Sequence, residues 1–234
     1  MGLMCSCLNR FSSTCHLAAL LAALVLIAPA YGATLNQIDD FQSGSTLGWT
    51  NGPAGDPINV DGGGPTGAAD RFLQVTSTGL GGAGGRMIVF NRSQWLGSYA
   101  GITAISMDLK NLDSFSPIQP LSVRIAFKQN TSGGSPGYAS ANAFALPADG
   151  QWHHAIFQLS GSAMVGINAP SLTLDQLLAA PAEMRVLSST APALDGDITG
   201  SRLGIDNIRA IPEPGTLSLA IAALVSLAWW TRRR

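Results

Sequence analysis

Glutamate occurs only twice in the chain, at Glu183 and Glu213. Hydrolysis of a glycosidic bond calls for two carboxyl groups at a controlled separation, one of them held protonated. Glu183 is the only glutamate ahead of the tail, and no aspartate pair is recognisable as acid and base. His153 and His154 are adjacent, and neighbours on a strand face opposite sides, so they do not readily ligate one metal together. No serine lies in a nucleophile-elbow context, so one packed and one solvated histidine is expected rather than catalysis. Asp195-Gly196-Asp197 and Asp61-Gly62-Gly63 resemble calcium loops only in composition; without the repeating spacing they read as turns. The remaining chemical resource is flat rings. Sugars present C–H faces that stack on Trp49, Trp95, Tyr99, Tyr138 or Trp152, although core packing is the commoner fate of a tryptophan. Trp95 and Tyr99 are the pair expected at a glycan, because glycine and serine surround them. These residues point to binding rather than turnover. A polysaccharide-modifying enzyme working through aspartates alone, and a protein-binding adhesion module, are the other readings.

Charge narrows the partner. Between Tyr31 and Ile211 there are thirteen acidic and nine basic residues, a balance of −4, and phosphate binding needs clustered Lys and Arg. No such cluster precedes Arg232, which argues against nucleic acid. Cys5, Cys7 and Cys15 are the only cysteines, and all three precede the first apolar run.

Both ends read as addresses. Arg10, the apolar stretch from Leu17 to Ile27, and Ala28-Pro29-Ala30 form a signal peptide over 1–30, with cleavage after Ala30, Gly32 or Ala33. The apolar run falls short of the roughly 20 residues a spanning helix needs. Cleavage would remove every thiol and with it any disulfide or thiolate metal site. At the other end, Pro212, Glu213 and Pro214 precede an apolar run from Leu217 to Trp230 and then Arg232, Arg233 and Arg234. The prolines lock φ and lack donors, which keeps this segment extended. Leu217 to Trp230 makes a lipid-compatible helix, and the arginines stay cytoplasmic, which leaves the domain outside.

The elements that must position the binding residues are strands. Leu121, Val123, Ile125 and Phe127 alternate with Ser122, Arg124, Ala126 and Lys128, and the same period runs from Thr103 to Lys110. Further strands are expected over Arg71–Thr76, Arg86–Phe90, Tyr138–Leu146, Trp152–Leu159, Glu183–Ser188 and Arg202–Ala210, separated by turn-formers. One helix fits: Thr173 caps it, Gln176 reaches back, Leu174, Leu177 and Leu178 form its stripe, and Pro181 ends it. The 12% of charged residues and 27 glycines suit strands joined by tight turns. The expected fold is mostly β, a single jelly-roll β-sandwich over 31–210 with one short helix, flanked by the signal peptide and, over 211–234, a transmembrane sorting helix.

The tripartite tail resembles the PEP-CTERM sorting signal of exopolysaccharide-producing Gram-negative bacteria. That resemblance implies export, transient anchoring in the inner membrane with the domain periplasmic, and processing by an exosortase at Pro212-Glu213-Pro214. The protein would end at the cell surface or outside the cell. Asp39-Asp40-Phe41 with Gly48-Trp49, the loop Gly62 to Gly67 with Asp70, and Trp95-Leu96-Gly97-Ser98-Tyr99 resemble the laminin B (domain IV) module and its bacterial relatives. Gly150-Gln151-Trp152-His153 and Leu203-Gly204-Ile205-Asp206-Asn207-Ile208 fit the same pattern. The resemblance implies a galactose-binding-like jelly roll that binds extracellular polysaccharide or serves as matrix scaffold. It also implies first and last strands side by side, where relatives hold a structural calcium. Asp39, Asp40 and Asp206 would then supply the core of its oxygen ligands, the alternative being solvated strand-edge charges.

Overall fold

A computed structural model of the chain describes residues 33–52, 56–113, 120–129 and 136–213. Residues 1–30, where the signal peptide is expected, lie outside the described residues, as do Pro214, the apolar run beyond it, and Arg232, Arg233 and Arg234. Among the described residues no helix is long and apolar enough to cross a membrane.

The described chain is mostly β, with two antiparallel sheets and one short helix. Alternation is realised where it was clearest: β7, Leu121–Lys128, buries Leu121, Val123, Ile125 and Phe127, and β6 spans Ile102–Asn111 with Ile105, Met107 and Leu109 buried. The remaining strands are β1 (Ile38–Asp39), β2 (Trp49–Thr50), β3 (Ile58–Val60), β4 (Phe72–Thr78), β5 (Ile88–Asn91), β8 (Gly137–Ser140), β9 (Phe144–Leu146), β10 (His153–Gln158), β11 (Met164–Ile167), β12 (Glu183–Ser188) and β13 (Gly200–Pro212). The first sheet runs β10-β6-β13-β4-β3, with β1 also paired to β13; the second runs β11-β8-β7-β12-β5-β2, with β9 paired to β7. Inward residues of both sheets, among them Val75, Ile105 and Ile205 from the first and Val89, Ile125 and Val186 from the second, join one core, so the sheets are the two layers of a sandwich.

Two departures from the sequence expectation have local causes. The single strand expected over Tyr138–Leu146 is broken by a bend at Ala141 and Asn142, so that β8 and β9 each pair with β7 at different places. Strands β2, β3 and β11 have only two to four residues, too short for a period to declare itself. Helix α1, Leu174–Ala179, forms as expected: the Thr173 side chain accepts from the Gln176 N–H, the Gln176 side chain accepts from the Thr173 N–H, and Leu174, Leu177 and Leu178 are buried.

On the outside of the second sheet, charged residues are consumed by the fold itself. Arg124, 5% exposed, donates to the carbonyls of Ser140, Ala141, Ser189 and Thr190. Glu183, 2% exposed, is held between Arg92 and Arg185, and Arg185 also reaches Asp195 at 2.6 Å. Both carboxylate oxygens of Glu183 are thus occupied by guanidinium donors.

Strand β13 runs past residue 210. Ile211 pairs with Ala104, Pro212 pairs with Ile102, and the Glu213 N–H donates to the Gly101 carbonyl at 2.9 Å. A chain ending at Ala210 is therefore expected to be less stable than one ending at Glu213 by about 1–2 kcal/mol, the worth of one or two net backbone bonds. Urea midpoints of the two truncations measure this; equal midpoints would show that the last three residues add nothing to the sheet.

Candidate functional site

The open face of the first sheet collects polar side chains because four strands lie side by side there in the order β10, β6, β13, β1. Cross-strand partners share a face. His154 is opposite Asp108, which is opposite Asp206; in the next row Ile156 is opposite Ser106, Ser106 opposite Arg209, and Arg209 opposite Ile38.

A bulge at Asn207, where φ is +50°, separates these rows. Leu203 and Ile205 point into the core before it, and Ile208 and Ala210 after it, so the extra residue re-aims the strand. Through Ile205, β13 pairs with β4; from Ile208 it pairs with β1.

The result is an open cleft of about 610 Å³ lined by Ser106, Asp108, His154, Asn207, Arg209 and Ile211 among others. The His154 Nδ1–H donates to Asp108 Oδ1 at 2.8 Å, and Asn207 Nδ2 donates to Asp108 Oδ2 at 2.8 Å. A carboxylate only accepts, so the imidazole proton sits on Nδ1 and a neutral His154 offers Nε2 as an acceptor. Ile156 and Ile38, 52% and 37% exposed, give the cleft two aliphatic shoulders.

Next to this row Trp152 lies half-buried across Gly204: a Cβ on Gly204 would come within 3.1 Å of the indole. The Trp152 ring meets Phe72 edge-on at 5.3 Å, Lys110 Nζ lies 5.9 Å from its centroid, and its N–H donates to the Gly63 carbonyl at 3.0 Å. Trp152 thus ties the Gly62–Gly67 loop over the sheet while it keeps part of one ring at the surface.

Asp206 also points outward but is fully buried. Burial pushes its carboxyl up to about 7; the Asn207 N–H at 2.7 Å pulls the other way, and the nearby charges of Asp70, Asp108 and Asp40 add to the rise.

The residues expected from sequence are placed differently. Trp95 and Tyr99, expected to face a sugar, are 0% and 3% exposed. The Trp95 indole lies 6.3 Å from that of Trp49, and Tyr99 packs edge-on against Phe127 with its hydroxyl donating to the Trp95 carbonyl. Gly97, at φ +85°, is part of the turn joining two inward-facing rings, not a sign of exposure.

The trio Asp39, Asp40 and Asp206 also needs correction. Asp39 and the last strand are adjacent as expected, through pairing with Ile208, but Asp39 is spent on the protein: Oδ2 accepts from Trp49 Nε1 at 2.7 Å and Trp95 Nε1 at 2.8 Å, and Oδ1 accepts from Gln94 Nε2 at 2.8 Å. Burial raises the Asp39 carboxyl, against the lowering by Trp95, Trp49 and Gln94. Asp40 is exposed and caps the Gln42 N–H. Among the described residues no three carboxylate, imidazole or thiolate groups converge on a metal position. His153 and His154 behave as neighbours on a strand should, with His153 bonded to Asp149 and His154 to Asp108.

Sequence reasoning did not single out Asp108, Asn207 or Arg209. One signal was available: apolar positions shift from odd (Leu203, Ile205) to even (Ile208, Ala210), and that parity break marks the bulge.

No protein-family model matches the chain, and no curated protein sequence matches it. Solved structures do superpose on it. An exo-β-agarase aligns over 77% of this chain and 25% of its own at 12% identity with a TM-score of 0.47. The N-terminal tandem CBM22 domain of Paenibacillus barcinonensis Xyn10C aligns over 80% of this chain and 47% of its own at 14% identity with a TM-score of 0.49. A carbohydrate-binding module of family CBM28, specific for non-crystalline cellulose, aligns over 80% of this chain and 99% of its own at 13% identity with a TM-score of 0.42. The chain thus spans a quarter of the first of these and under half of the second.

Proposed function

We propose that this chain is an exported jelly-roll protein that binds extracellular polysaccharide without chemically altering it, on the open face of β10, β6, β13 and β1. The observation that carries this reading is the composition of that face: a hydrogen-bonded run of His154, Asp108 and Asn207 with exposed Ile156 and Ile38 beside it. Sugars need both, because their hydroxyls exchange hydrogen bonds with planar side chains while their C–H faces cover apolar surface. A non-catalytic role is supported by the state of the carboxylates: both Asp108 oxygens accept hydrogen bonds, and Glu183 is locked between two arginines. The tail Pro212-Glu213-Pro214, the apolar run after it and Arg232, Arg233 and Arg234 support processing by an exosortase at the inner membrane of a Gram-negative bacterium, which would deliver the domain to the surface layer.

The test is retention of the full chain in native gels containing soluble polysaccharides. Asn207→Ala and His154→Ala are each expected to weaken retention about tenfold, since each removes roughly 1–2 kcal/mol of hydrogen bonding. Retention that survives both changes would move the site elsewhere; release of reducing ends from the polymer would replace binding with an enzymatic reading.

A further inference from the structure

Within the cleft, the two signs of charge are not equally available. Asp108 lines it, and its Oδ1 and Oδ2 are already taken by His154 and Asn207. Arg209 also lines it, is exposed, and its guanidinium has no ion-pair or hydrogen-bond partner among the described residues. The neighbouring Asp206 carboxyl is fully buried, so it offers no contact to a sugar lying on the face. The unspent charge is therefore the planar fork of a guanidinium, which matches a carboxylate with two parallel N–H donors, and beside it the His154 Nε2 is an acceptor for a hydroxyl. His154 and Arg209 stand in adjacent rows, on strands separated only by β6 and thus about 10 Å apart, and Ile156 and Ile38 are the two ends of the Arg209 row. A neutral sugar would leave the fork half used. A sugar acid uses all three features: carboxylate on Arg209, hydroxyl on His154, and C–H surface on the isoleucines.

We propose that this face selects an anionic, uronate-bearing polysaccharide, with Arg209 as the seat of the sugar carboxylate; the inference rests on the glycan-binding reading above and adds the ligand class to it. Arg209 is a cation on a chain whose domain is acidic overall, so attraction of a polyanion depends on this local group rather than on net charge.

The experiment compares full-length protein binding to polygalacturonate and alginate, to the methyl esters of the same polymers, and to poly-L-glutamate, by affinity electrophoresis at low and moderate salt. Expected is binding to the acid forms at least tenfold tighter than to the esters, weakened by salt, with poly-L-glutamate bound no better than the esters. Arg209→Gln should abolish the preference for the acid, and Arg209→Lys should restore only part of it, since lysine supplies charge without the fork. Because Arg209 is exposed and unpaired among the described residues, unchanged melting of both variants shows that the fold is intact. Equal binding of acid and ester, or an Arg209→Gln variant that keeps the preference, overturns the anionic specificity and leaves glycan binding standing. Poly-L-glutamate bound as tightly as the uronates reduces Arg209 to a general anion contact and also overturns it. Failure to bind any polysaccharide, charged or neutral, removes both readings together.

Discussion

Asp206→Asn is expected to raise the melting midpoint of the protein at pH 8 in EDTA by roughly 5–10 °C, on the order of 3 kcal/mol for a domain of this size. The carboxyl is fully buried, and its folded pKa is pushed up to about 7 from an ordinary 3.8. Between those two values the native state holds a proton that the unfolded chain has already released. Stability therefore falls as pH rises from about 4 to about 7, and is flat above. The amide keeps the shape of the side chain and still accepts the Asn207 N–H, but it never has to carry a buried charge beside Asp70, Asp108 and Asp40. Wild type and Asp206→Asn should thus coincide near pH 4.5 and diverge with rising pH. A wild-type midpoint that stays level from pH 5 to pH 7.5 would contradict the buried, uncompensated carboxyl. Repeating the melts with calcium tests whether a cation supplies the compensation. A lift confined to the wild type would seat a cation at Asp206, without Asp39, whose oxygens are committed to two indoles and a glutamine.

The strands with long apolar alternation were legible: β7 and β12 fall on the expected residues, and β6 and β10 within one or two. The capping box of α1 could also be read, because its partners are three residues apart. The candidate face was not, for a physical reason. Asp108, His154 and Arg209 become neighbours only through pairing of β6 with β10 and β13, which joins residues 46 apart in one case and about a hundred apart in the other. Sequence spacing carries no trace of such a register. Trp95 and Tyr99 failed for the converse reason: polar and flexible neighbours describe the turn between them, whereas burial is decided by what lies across the core, in this case Trp49 and Phe127.

The tryptophan pair leads to the largest effect expected from a single substitution. Asp39 is on β1 in the first sheet; Trp49 is on β2 in the second, and Trp95 follows β5. One carboxylate oxygen accepts from both indoles, so a single buried side chain joins the two layers at their edge. Asp39→Leu leaves two buried indole N–H groups without an acceptor and Gln94 without its partner, a loss of about 3–5 kcal/mol, or a fall of roughly 10 °C or more in the melting midpoint. Asp39→Asn is nearly isosteric; its carbonyl takes both indoles, and the Gln94 amide turns to accept from the new NH₂, so the fall should be at most a third as large. Urea titrations followed by tryptophan emission separate the two variants. If leucine and asparagine destabilise equally, the negative charge rather than the shared acceptor is what holds the indoles. Burial raises the Asp39 carboxyl from its ordinary value, so its proton is bound more readily in the folded than in the unfolded chain, and acidification through Asp39 alone is not expected to destabilise the wild type.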